Sequence, residues 1–87
     1  MNRTKNLMRV YAYGVIAELG VCQKKQIKDR LWDKWEQYET IDKQFGMLFA
    51  DLGWMFQDLK EQGVVVSNGR QSSAARWKIT TASWEVN

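Results

Sequence analysis

Apolar side chains recur with a helical period over the first twenty positions. Met8, Tyr11 or Ala12, Val15 and Leu19 fall three to four residues apart, which predicts a helix over about Thr4 to Leu19. Gly20 is well placed to stop it. Val10, Tyr13 and Ala17 form a second apolar stripe, so this helix is either central or part of an interface. Val21 and Cys22 make a short extended piece at most. Ile27, Leu31, Trp35 and Tyr38 predict a second, amphipathic helix from about Lys24 to Gln37, with Lys25, Gln26, Asp29, Arg30 and Asp33 on its opposite side. Thr40 or Asp42 is suited to cap a third helix, the longest, from about Asp42 to Gln62. Its stripe is broad: Phe45, Leu48, Phe49, Leu52, Met55, Phe56 and Leu59. Gly46 and Gly53 each lower helix propensity by roughly 1 kcal/mol and mark either close packing points or a kink.

After Gly63 the period changes from helix to strand. Val64, Val65 and Val66 lead into the turn signal Ser67-Asn68-Gly69, and Arg76-Trp77-Lys78-Ile79-Thr80 alternates polar and apolar. Three helices followed by a β-hairpin wing make an α+β, mainly α chain in the order of a winged helix-turn-helix. The expectation is one domain over residues 1–87, with a basic arm at about 1–6 and the wing at about 64–81.

Composition narrows the function. A chain of 87 residues that is 45% hydrophobic and 13% aromatic is not a disordered tail. One cysteine and no histidine exclude an internal disulfide and a Cys/His zinc site, and remove the usual general base. Asp29/Asp33 and Asp51/Asp58 are spaced as surface neighbours on helices, so a non-enzymatic protein is expected, with no cofactor, metal or small-molecule substrate. No apolar run approaches the ~18–20 residues of a membrane span, and the basic start lacks the apolar stretch of a signal peptide, so no membrane role and a cytoplasmic location are expected. Net charge is only +3, but the bases cluster at the start, in Lys24–Lys34 and in Val64–Thr80. If these segments converge they make a positive face for a polyanion.

Several short motifs resemble the winged-helix domain at the N-terminus of Mrr-type restriction endonucleases. They are Val15-Ile16-Ala17-Glu18-Leu19-Gly20, Lys25-Gln26-Ile27, Phe45 onward, Leu59-Lys60-Glu61-Gln62-Gly63-Val64-Val65, Gly69-Arg70 and Arg76-Trp77-Lys78-Ile79-Thr80-Thr81. The resemblance covers roughly Arg9 to Thr81 and implies double-stranded DNA as partner. No nuclease domain accompanies it here, so a regulator or accessory factor, rather than a cutting enzyme, is the expectation, with a phage or mobile element as source.

The candidate contacts follow from charge and position. Asn68, Arg70, Gln71, Arg76 and Lys78 of the wing suit backbone phosphate. Lys24, Lys25 and Lys28 oppose the dipole at the start of the second helix, an unfavourable place for stability and a favourable one for phosphate. On the third helix, Lys43 is suited to phosphate and Gln44 to an adenine edge, with Met47 beside them. Between Asp42 and Gln57, however, Lys43 is the only base, so the wing is expected to dominate. Met47 and Trp54 are either core or a partner surface. The alternative function is a protein-interaction module, a dimerising adaptor or an inhibitor of a host nucleic-acid machine, using Val10, Tyr13, Ala17 and Trp54.

Overall fold

A computed structural model describes residues 2–68 and 75–80. The first helix, α1 (Arg3–Leu19), begins at Asn2, whose Oδ1 accepts the Lys5 N–H at 3.1 Å. Met8, Ala12, Val15 and Ile16 are its buried stripe. The chain leaves α1 through Gly20 at φ 77° and ψ −125°, where the Gly20 N–H still bonds the Ile16 carbonyl at 2.8 Å. An L side chain seldom adopts this conformation, and a Cβ at Gly20 would meet open space. Gly20→Ala is therefore expected to cost about 1–3 kcal/mol from backbone strain alone, measured by urea unfolding. A neutral substitution would contradict that origin.

The short extended piece is a true strand, β1 (Cys22–Gln23), and it runs directly into α2 (Lys24–Tyr38). Gln26 reaches back to accept the Gln23 N–H at 2.8 Å, which closes the start of the helix. Ile27, Leu31 and Trp35 are buried on one side of α2. Trp35 is the core tryptophan and Trp32 the half-buried cap on the aromatic cluster. Phe45 stacks on Trp35 at 4.5 Å, and Tyr11 meets Trp35 edge-on at 5.5 Å.

The expected long third helix is two helices, α3 (Lys43–Ala50) and α4 (Gly53–Glu61). Asp42 caps α3, its Oδ1 accepting the Phe45 N–H at 2.9 Å. The break falls at Asp51 and Leu52, where Asp51 Oδ1 takes the Gly53 N–H at 3.0 Å. This local bond competes with the helical ladder, and Gly53 offers little propensity to resist it. The redirected chain buries Leu52, Met55, Phe56 and Leu59. At the far end, Gly63 (φ 75°) turns the chain while its N–H bonds the Lys60 carbonyl and the Val64 N–H bonds that of Leu59.

The hairpin strands β2 (Val65–Asn68) and β3 (Arg76–Ile79) join β1 in one antiparallel sheet of order β1-β3-β2. The sheet thus has three strands where the sequence pattern predicted two. In register, Trp77 lies between Cys22 on β1 and Ser67 on β2, and Arg76 between Gln23 and Asn68. Helix α1 packs against α2, α4 and β3, so the core lies between the helices and one face of the sheet. Among the described residues no helix is long and apolar enough to cross a membrane.

Candidate nucleic-acid interface

The β1–β3 register sets the geometry of the basic residues. Because Gln23 pairs with Arg76, the first turn of α2 starts beside the loop end of the hairpin ladder. From that turn Lys24 extends its Nζ over two rings, 5.2 Å from the Phe56 centroid on α4 and 5.5 Å from that of Trp77 on β3. Lys60, from the last turn of α4, places its Nζ 5.9 Å from the same Trp77 ring. Lys28 lies one turn further along α2, 5.8 Å from Phe49 at the end of α3. Aromatic faces attract cations at these distances and leave the charge facing solvent. None of these three lysines has a carboxylate within ion-pair distance among the described residues.

Other bases are neutralised. Lys25 bonds Asp29 at 3.0 Å on the exposed side of α2. Arg30 and Lys34 both bond Glu18, at 3.0 and 2.9 Å, and the Lys34 hydrogen bond chiefly holds the Glu18 carboxyl below the usual carboxylate range. Arg9 bonds Asp58 at 2.9 Å. Fewer bases are available than the count suggests: Lys24, Lys28 and Lys60 sit on the ring-lined side of α2 and α4, Arg76 is exposed on β3, and Arg3, Lys5 and Lys43 lie on α1 and α3.

Lys24, Lys60, Gly53, Phe56, Gln57 and Trp77 line a pocket of about 60 Å³. At the ~15 Å³ that one ordered water requires on this measure, it fits a group of a few oxygens. Trp77 is 2% exposed, and its indole Nε1–H is buried without a hydrogen-bond partner. Leaving such a donor unsatisfied costs about 1–3 kcal/mol. The indoles of Trp35 and Trp54, by contrast, donate to the carbonyls of Thr40 and Leu48 at 2.9 and 3.2 Å. A second, larger groove of about 440 Å³ runs between α1 and the end of α4, lined by Asn6, Arg9, Val10, Tyr13, Leu59, Gln62 and Val64.

Not every expected contact survives. Lys78, expected to face phosphate, is only 3% exposed on β3, the middle strand of the sheet. Burial removes it from any backbone contact. Lys25 carries its own acid and turns away from the ring-seated lysines. Asn68 and Arg76 form the last pair of the ladder before the connection, where Asn68 Oδ1 accepts the Arg76 N–H at 2.9 Å and the Arg76 side chain stays exposed. Arg70 and Gln71 lie outside the described residues. Lys43, Gln44 and Met47 are exposed in the first turns of α3, where the Thr4 hydroxyl of α1 donates to Gln44 Oε1 at 3.1 Å. That bond occupies the oxygen a bidentate adenine contact would need.

The expected protein-binding stripe is also divided. Val10 (65% exposed) and half-buried Tyr13 line the larger groove, while Ala17 is exposed outside it. Trp54 is half-buried beneath Lys5 and Arg9, at 5.1 and 5.8 Å from its ring. Sequence reasoning missed Lys60, Gln57 and Gly53 as a set. Their spacing does place them on one polar stripe of α4, but the tryptophan that seats Lys60 comes from β3. Cys22 is buried, which pushes its thiol pKa up and keeps the sulfur protonated and unreactive. No three potential metal ligands cluster among the described residues. The chain matches no family model, no curated protein and no solved structure.

Proposed function

We propose that this chain is a small, non-enzymatic winged-helix protein that binds duplex DNA, acting by occupancy as a regulator or accessory factor. The element order supports the fold reading: a short edge strand before α2, a helix leading directly into a hairpin, and pairing of the edge strand with the returning hairpin strand. On this reading α4, immediately before the hairpin, takes the place of the groove-facing helix, and α3 is an added turn before it. One observation carries the function. Lys24, Lys28 and Lys60, all lacking carboxylate partners among the described residues, gather where α2, α4 and the sheet meet, and exposed Arg76 pairs across the ladder with Gln23, next to Lys24 in the chain. The exposed side of α4 offers little base reading, because the Gln57 amide already donates to Glu61 at 2.7 Å. Binding is therefore mainly to phosphate.

The test is fluorescence anisotropy with a short mixed-sequence duplex across a salt series. Each phosphate neutralised contributes about −0.9 to the log–log slope, so affinity falls steeply between ~50 and ~200 mM salt. Lys28→Gln is expected to flatten the slope by about one. Absence of duplex binding at ~50 mM salt overturns the proposal. The second reading, a protein-interaction module, is favoured by the 440 Å³ groove beside exposed Val10. It stands instead if no duplex, single strand or RNA binds and light scattering gives twice the chain mass.

A further inference from the structure

Two ammonium groups above one indole form an arrangement incomplete in itself. Lys24 and Lys60 repel one another, and the ring they share cannot neutralise either. The pocket they line is the size of a tetrahedral oxyanion. Trp77, only 2% exposed, lines it with its ring. An anion seated there would lie between the two ammonium groups and offset their mutual repulsion, with the Trp77 ring beside it.

We propose that this pocket seats a single backbone phosphate of the bound nucleic acid, clamped between Lys24 and Lys60 against Trp77. The inference rests on the nucleic-acid reading above and deepens it. The choice of a polymer phosphate over a free ion comes from the acids bonded to two of the lining residues, Gly53 and Gln57. Asp51 bonds the Gly53 N–H and Glu61 bonds the Gln57 amide, so two carboxylates offset the two lysines. A free ion meets little net charge. A phosphate carried by a chain already held at Lys28 and Arg76 arrives at high effective concentration and needs only the local geometry.

Because both lysines hold the same phosphate, their substitutions do not add. Lys24→Gln, Lys60→Gln and the double variant are each expected to flatten the salt slope by about one and to weaken duplex binding about threefold to tenfold at the lower salt. Lys34→Gln, the same change in charge at a residue bonded to Glu18, serves as the control and is expected to leave the slope unchanged. Nitrogen-15 spectra of the indole groups give the second readout. Duplex is expected to move the Trp77 Nε1–H signal more than those of Trp35 and Trp54, and Lys60→Gln to abolish the movement, while inorganic phosphate alone leaves it in place. Duplex binding with an unmoved Trp77 signal, or a double variant that flattens the slope by two, overturns the clamp and leaves the DNA reading standing. Movement by inorganic phosphate alone overturns the polymer source. Absence of all nucleic-acid binding overturns both proposals together.

Discussion

Phe45→Ala is expected to lower folding stability by about 3–5 kcal/mol. A chain of 87 residues has roughly 4–13 kcal/mol in total, so this single change removes a large share of it. Phe45 has no exposed surface and touches three other rings: Trp35 stacked at 4.5 Å, Phe49 at 5.4 Å and Trp32 at 5.6 Å. It also lies in the first turn of α3, where its N–H is held by the Asp42 cap. Alanine keeps the cap and loses every ring contact, so the loss comes from packing and the cavity left behind. Urea unfolding followed by tryptophan fluorescence measures it. A loss below about 1 kcal/mol would mean that the aromatic cluster closes over the gap, contrary to the rigidity of a close-packed core.

Trp77→Ala is expected to cost a similar 3–5 kcal/mol, and Trp77→Phe at least about 2 kcal/mol less. The two differ in what they leave. Alanine removes the ring that lies 5.0 Å from Phe56 and that fills the centre of the sheet between Cys22 and Ser67. Phenylalanine keeps a ring at that position and discards the Nε1–H that has no partner, which recovers part of the cost of the lost volume. Equal destabilisation by both variants in equilibrium unfolding would show that the N–H, rather than the ring, sustains the sheet.

The helix boundaries and the main core were legible because periodicity is a local property. Met8, Ala12 and Val15, then Ile27, Leu31 and Trp35, stand where the spacing put them, and Gly20 stops α1 with a positive φ. The break between α3 and α4 was not legible from the apolar stripe. It depends on one side-chain bond from Asp51, which a repeat of 3.6 residues does not register. Strand β1 has two residues, too few for any period, and it is a strand only because Arg76 and Trp77 lie alongside. The same distinction divides the site. Lysine identity at positions 24 and 28 was visible in the chain, whereas Lys60 gains its role from a ring on a distant strand. Lys78 misled in the opposite direction, since its charge suggested an open position and it is buried beside Trp77 in the sequence of β3.

The sheet order β1-β3-β2 has a consequence for how the chain is made. Strands β1 and β2 never touch in the ladder, and each has β3 as its sole partner among the described strands. Four residues, Arg76–Ile79, therefore carry the whole ladder. While a ribosome is still adding the residues before them, the helices already have neighbours to pack on, but Cys22–Gln23 and Val65–Asn68 have none. Arrival of β3 fastens both edges at once, joining the start of α2 to the hairpin across 55 positions of sequence from Cys22 to Trp77.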